Sequence, residues 1–431
     1  MMLEPNNVQG RTNPAGGRFR HPALRDTSAS MHVARRAGAG NMPVRGIAGV
    51  LLLALLGGGC SSIMTPDREP PPKLTVLEGG VPVHALWSTN FGAKLEGQYQ
   101  RFAPIVEGGK LFVADGEGRV ASLDAASGKT LWVVETKAKI SAGLGSGEGL
   151  LLAGTRNAEV LALRKDDAAV AWRSPVSSEV LAPPRTAEGM VVARTVDDKV
   201  LALDAKNGNR LWMQGQTVPI LTLRGTGAPL VSGDKVIVGF ANGNLAAFSL
   251  ADGKAVWEVR IAAPQGRSEL EQMVDVDADP VIMDDVVYAV SFQGRLAAVA
   301  LDTGRLLWAR DMSSFNNIAM DKDKIYATDS EGQVWALDRT NGVALWKQDK
   351  LSGRGLTAPV IHGDYVVAGD IEGYLHWLAR DDGHFVARYR VNDSAITITP
   401  VVAGDTLYVR GKNGALSAIA VPGAALGSPS P

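Results

Sequence analysis

The chain has 431 residues, 45% of them apolar, 21% charged and 6% aromatic, with 44 basic side chains against 45 acidic. That balance excludes a surface built to neutralise phosphates, so nucleic acid is not an expected partner, and the apolar share suits a folded core rather than a membrane-filling or disordered chain. A single cysteine, Cys60, excludes any intrachain disulfide and any cysteine-based zinc cluster, and the six histidines fall in no H-x-H or H-E-x-x-H spacing. With 49 glycines, 22 prolines and no three-residue period, the composition predicts a turn-rich, β-rich fold.

Residues 1–41 match no part of an export signal and end just before Met42, so they read as an extension or a start-site artefact. Residues 42–59 differ. Arg45 precedes the apolar run Ile47–Leu56, which is half of the ~20 residues a spanning helix needs, and Gly57, Gly58 and Gly59 lead into Cys60. A basic flank, a short apolar centre and small residues at the end make an export signal. Because it ends on cysteine it resembles a bacterial lipoprotein signal, although Gly57 stands where such signals carry leucine. The resemblance implies that Cys60 is acylated, palmitate included, and becomes the mature N-terminus. Ser61 in place of aspartate resembles the pattern that sorts lipoproteins to the outer membrane. Residues 60–84 contain Pro70-Pro71-Pro72 and read as a stiff, extended tether.

From 85 to 421 the sequence repeats itself: a glycine, a short alternating strand near Ala-Leu-Asp, a glycine turn, then a strand reaching tryptophan. Copies end at Trp132, Trp172, Trp212, Trp257, Trp308 and Trp346, a seventh is assigned to Tyr389, and an eighth, GALSAIAV from Gly414, stops before its last strand. That missing strand stands near the start, as HALWSTNFG around Trp87. A period of ~40 to 50 residues with about four short strands per unit is the signature of a β-propeller. The expected architecture is all-β and eight-bladed, with the N-terminal strand closing the last blade, because closure removes two free sheet edges. One tryptophan per blade should pack against the next blade, and residues 422–431 form an expected disordered tail.

Motifs for catalysis dissolve on inspection. Gly128-Lys129-Thr130 has Leu123 where a phosphate loop needs its first glycine, GLGSGEG from Gly143 has no helix after it, and no G-x-S-x-G elbow occurs. Asp275, Asp277 and Asp279 open like a calcium loop, but Pro280 replaces the required glycine and Val286 the closing glutamate. This loop nevertheless sits in the longest repeat, where a repeat protein usually keeps its binding surface. The segment VPILTLRGTGAP, from Val218 to Pro229, also departs from the repeat. Leu221 and Leu223 beside Arg224 have the composition of an interface anchor on a loop, and equally that of two inward strand residues beside a surface charge.

A lipoprotein signal followed by eight tryptophan-closed blades resembles the BamB family, the propeller lipoproteins of the outer-membrane β-barrel assembly machinery. LTLRGTGAP, VDVDADPV and GDIEGYLHWLARDDGHFVA carry the resemblance, which extends over residues 42–421. It implies a non-catalytic scaffold without cofactor, held by lipid alone at the periplasmic face of the outer membrane, and assisting insertion of barrel proteins. It also implies docking on the POTRA domains of BamA, alongside other subunits of that complex, and contact with unfolded barrel clients. Carried over residue by residue, the contact falls on Leu221, Leu223, Arg224, Asp275 and Asp277, the leucines filling a pocket and the charges giving complementarity. Two alternatives remain: a relative of the quinoprotein alcohol dehydrogenases, which bind pyrroloquinoline quinone and calcium on the propeller axis and share the PQQ-like tryptophan repeat, or a tethered propeller binding another envelope partner such as peptidoglycan.

Overall fold

A computed structural model describes residues 70–92 and 101–422. Cys60, the signal at 42–59, residues 1–41 and the tail after 422 lie outside the described residues. Every regular element among those described is a β-strand, and the strands form eight four-stranded antiparallel sheets. The first sheet is Ile105–Glu107, Lys110–Ala114, Arg119–Asp124 and Thr130–Glu135, in that order. Six more follow in the same order. The short first strands of neighbouring sheets touch one another, as Arg185–Ala187 touches both Gly145–Gly147 and Leu230–Ser232, so they ring an axis and the sheets radiate from it.

Burial follows from that stacking. The second and third strands of each sheet are covered on both faces by neighbouring blades, and Leu150–Gly154 is buried at every residue. They therefore read as continuous apolar runs. The outer strands alternate instead, as in Val170–Pro175, where Trp172 and Ser174 are buried and their neighbours exposed. The eighth sheet is Val401–Ala403, Thr406–Arg410 and Ala415–Ala420, completed by Ala85–Asn90 pairing with Ala415–Ala420 through Ser88 and Ser417. The eight-bladed propeller closed by its N-terminal strand is thus the observed fold.

At six of the eight joints a tryptophan ties its blade to the next by one repeated contact. Trp172 donates from Nε1 to the Ala205 carbonyl at 2.8 Å, Trp212 to Leu250 at 2.8 Å and Trp257 to Leu301 at 2.7 Å. The indole face lies on the glycine of the receiving turn. At Gly208, whose φ is +75°, a Cβ would stand 2.6 Å from the Trp172 ring. Glycine is needed there twice, for the left-handed backbone and for the approach of the ring. Each of these tryptophans faces a small residue across its own sheet, Ala162 against Trp172 and Ala202 against Trp212.

The seventh blade corrects the assignment of Tyr389. The repeat position there is Ala387, and its cross-strand partner is Trp377, so the large and small residues have exchanged strands. Trp377 is fully buried and donates to His362 Nδ1 at 3.2 Å. The exchange has a cause in connectivity. The eighth blade has no glycine turn to receive a tryptophan, because the two ends of the chain meet there, and Val81 and Val83 pack into that space instead.

Part of the segment expected as a tether lies along the ring. Leu74 packs against the core of the sixth and seventh blades, Arg388 donates to the Thr75 carbonyl at 2.7 Å, Arg354 to the Pro72 carbonyl, and Val81 N to the Val386 carbonyl at 2.9 Å. Arg354 is itself fixed by Asp370 at 2.8 Å, whose carboxylate also meets His376 at 2.9 Å. Among the described residues, then, the N-terminal stretch from Pro72 is a strap on the propeller. The cause is Leu74, Val81 and Val83, which find cover on the sixth to eighth blades.

Candidate functional site

Two connecting loops meet on one face of the ring. Residues 216–229 lead from the outer strand Arg210–Gly215 of the third blade to the inner strand Leu230–Ser232 of the fourth. Residues 261–280 make the equivalent link from Ala255–Arg260 to Val281–Met283. These hold all the candidate contact residues, and the structure brings the two loops together.

The stretch from Asp275 to Asp279 alternates as an extended chain must. Val276 and Ala278 turn into the core. The carboxylates turn the other way and grip the backbone of the first loop. Asp275 Oδ2 accepts from Leu223 N at 3.3 Å, Asp277 Oδ1 from Thr226 N and from Gly227 N at 3.2 Å, and Asp277 Oδ2 from the Thr226 hydroxyl at 3.2 Å. Asp279 Oδ1 accepts from Ala228 N at 2.8 Å. Four loop amides that would otherwise lack partners are satisfied by three carboxylates. Asp275 and Asp277 are 0% and 4% exposed. The charge complementarity expected of them gives way to an internal role, because both carboxylates are buried beneath the loop and turned toward its backbone. Among the described residues no group of three or more His, Cys, Asp or Glu side chains is arranged to hold a metal ion.

Beneath both loops lies Arg194, 2% exposed, which donates from Nη2 to Asp198 Oδ1 at 2.7 Å. Arg101 reaches Asp277 at 3.6 Å. Three carboxylates thus share two guanidinium groups in a buried space. Burial pushes the Asp275 carboxyl well above its ordinary value, the Asp277 carboxylate pushes it further, and Arg194 opposes both. Burial raises Asp277 too, but Arg101 and the Thr226 donors counter it. Asp277 has three donors, whereas Asp275 Oδ1 has none, so of the pair Asp275 is the one suited to keep a proton.

Above this base the first loop presents an apolar crest. Ile220 is 85% exposed, Leu221 42% and Val218 38%, while Leu223 is half-buried. Arg224 adopts a left-handed backbone, with φ at +65°, and its exposed guanidinium pairs with Glu179 from the loop between the second and third blades. The loop then descends to the axis, where Thr226 and Asp279 line a cavity of about 190 Å³ with Arg101, Arg185 and Asn317.

Leu221, Leu223 and Arg224 therefore share one crest, and Asp275 and Asp277 support it from below. Sequence reasoning missed Ile220, Glu179, Asp279 and Arg194. Ile220 and Asp279 stood inside the motifs already noticed. Arg194 had a fainter signal, a charged residue ending the otherwise apolar strand Met190–Arg194.

Comparison with known proteins agrees with this architecture. The family model described as outer membrane protein assembly factor BamB matches residues 84–139 and 116–348. An outer membrane protein assembly factor BamB of Alkalilimnicola ehrlichii is 43% identical over 373 residues, spanning 86% of this chain and 95% of that protein. The crystal structure of BamB from Moraxella catarrhalis superposes with a TM-score of 0.72 at 26% identity, over 79% of this chain and all of that one. A quinohemoprotein alcohol dehydrogenase from Comamonas testosteroni also superposes, with a TM-score of 0.64 over 81% of this chain and 78% of that one. Its identity is 12%, a likeness of fold alone that carries no dehydrogenase activity across. By sequence, by blade number and by the shared fold, this chain belongs to the BamB family of outer membrane protein assembly factors.

Proposed function

We propose that the protein is a non-catalytic scaffold of the outer-membrane assembly machinery that docks on the POTRA domains of BamA through the crest Ile220, Leu221, Leu223 and Arg224. The observation that carries this reading is an exposed apolar crest on a loop whose backbone is pinned by buried carboxylates. Apolar side chains held rigidly in the open lose little entropy on binding and make good anchors. Arg224 supplies a charge beside them, and Asp275 and Asp277 contribute by holding the loop rather than by touching the partner. Acylation of Cys60 would anchor the protein at the periplasmic face of the outer membrane, so that the propeller meets BamA on a surface instead of in free solution.

The test is co-purification of BamA with Leu223→Ala, Leu221→Ala and Arg224→Glu variants expressed in cells. Loss of either leucine should cost about 2 kcal/mol of binding, roughly a thirtyfold weaker complex. The reversed charge at 224 would face Glu179 and should weaken recovery as well. Undiminished recovery with all three folded variants contradicts the reading. Mass spectrometry of the mature N-terminus checks the anchor, with acylated Cys60 expected and an unmodified thiol against it.

A further inference from the structure

The last residue of the second strand occupies one equivalent place in every blade. It is Ala114, Gly154, Arg194, Gly239, Val290, Thr328, Gly369 and Arg410 in blade order. Where it is glycine, a branched residue from the following loop fills the space above it. A Cβ on Gly154 would lie 2.5 Å from Val180, on Gly239 2.4 Å from Val276, and on Gly369 2.5 Å from Ile396. At Arg194 and Arg410 the sizes are inverted. The arginine fills the space, and a glycine of the next loop lies on its guanidinium: a Cβ on Gly225 would stand 2.5 Å from Arg194 Nη2, and one on Gly92 3.1 Å from Arg410 Nη2.

The two arginines are not equally satisfied. Arg410 donates to the Ala114 carbonyl at 2.6 Å and the Phe102 carbonyl at 3.1 Å, and lies over the rings of Phe91 and Phe102. Arg194 has Asp198 and the Phe240 ring, but its Nε and Nη1 meet no acceptor among the described residues. A buried arginine with unmade donors is a poor source of stability, and an apolar side chain of similar volume would serve the core better. Its flat guanidinium does supply a rigid floor, placed by Asp198, whose other oxygen accepts from Ala241 N at 3.2 Å in the fourth blade. The floor is thus tied to both blades that the loop connects.

We propose that Arg194 is the positioning residue of the docking loop: Gly225 rests on its guanidinium, and through that contact the crest Leu221–Arg224 takes the shape it presents. The inference rests on the docking reading above. Lysine cannot substitute, because a mobile point charge offers no plane for Gly225 to lie on.

The test measures binding of the purified full-length protein to purified POTRA domains of BamA, together with amide hydrogen exchange, for Arg194→Met, Arg194→Lys, Arg410→Met and Leu223→Ala. Arg194→Met should weaken binding about tenfold and speed exchange at Leu223, Thr226 and Gly227 while amides of the first and sixth blades stay protected. Arg194→Lys should not restore either property, and Arg410→Met should leave both as they are. Wild-type binding and loop exchange in Arg194→Met, with Leu223→Ala still impaired, would overturn the inference and leave the docking surface standing. An equal loss in Arg410→Met would also overturn it, since the effect would then be general to the ring. Should Leu223→Ala bind normally, the docking reading falls, and the inference falls with it. Gly225→Ala approaches the same contact from the loop side and is expected to behave as Arg194→Met does, so a folding failure at 194 leaves a second variant to decide.

Discussion

The Cβ of Ala168 is one methyl group, and it marks an irregular joint in the tryptophan series. Ala168 stands where the other receiving turns carry glycine, and its φ is +57°. Trp132, which should dock on that turn, is left with a buried Nε1 that meets no acceptor, whereas Trp172 and Trp212 reach carbonyls at 2.8 Å. By the repeat, the acceptor for Trp132 is the Lys165 carbonyl. Ala168→Gly should remove a left-handed strain of about 1 kcal/mol and let the indole make its bond, so urea unfolding should report a gain of roughly 1 to 2 kcal/mol. A neutral or negative effect would count against this explanation of the joint. Asp275 makes the second residue-scale case. A carboxyl raised above its unfolded value favours the fold in acid, and that contribution is lost as pH climbs through the folded value. Asp275→Asn keeps an acceptor for Leu223 N without the charge. It should therefore flatten the decline in stability between about pH 4 and 7 and gain on the order of 1 kcal/mol at pH 8, read from thermal unfolding at each pH.

Among the elements, the two loops show what pattern alone can and cannot reveal. LTLRGTGAP and VDVDADPV stood out as departures from the repeat, and the loops they form do meet. Their division of labour was not legible, since alternation in D-V-D-A-D marks two faces of an extended segment without saying which face is covered. Burial of Asp275 and Asp277 depends on Arg194, Arg101 and the amides of residues 223–228, which are distant in sequence. The strap was illegible for a similar reason: a polyproline start suggests an extended tether, and the carbonyls that Arg354 and Arg388 take up could be seen only once folded. Leu74 is its apolar anchor. Leu74→Ser should let the strap open, so that trypsin cleaves after the exposed Lys73 about tenfold faster, as a loss of ~1.4 kcal/mol in local closure requires, with the blades intact. Unchanged cleavage would show that the arginine contacts hold the strap without Leu74.

The whole molecule was the most readable level, because each blade must bury both faces and therefore repeats its chemistry. Trp172, Trp212 and Trp257 announce themselves every forty to fifty residues, and the displaced Trp87 strand follows from the need to close the ring. The misreading at Tyr389 came from the same logic applied where closure breaks it, since the eighth blade has no turn to receive a seventh-blade tryptophan and the bulk moved to Trp377. A closed ring leaves its loops free to diverge, and the face carrying residues 216–229 and 261–280 is where this one has diverged most. The decisive measurement is photo-crosslinking in cells with the probe at Ile220 on the crest and, for reference, at Val343, which is exposed on a turn of the sixth blade. An adduct with BamA from position 220 and none from 343 is the expected result. An adduct from 343 alone, or no BamA adduct from the crest while the protein is folded and membrane-bound, would contradict the account.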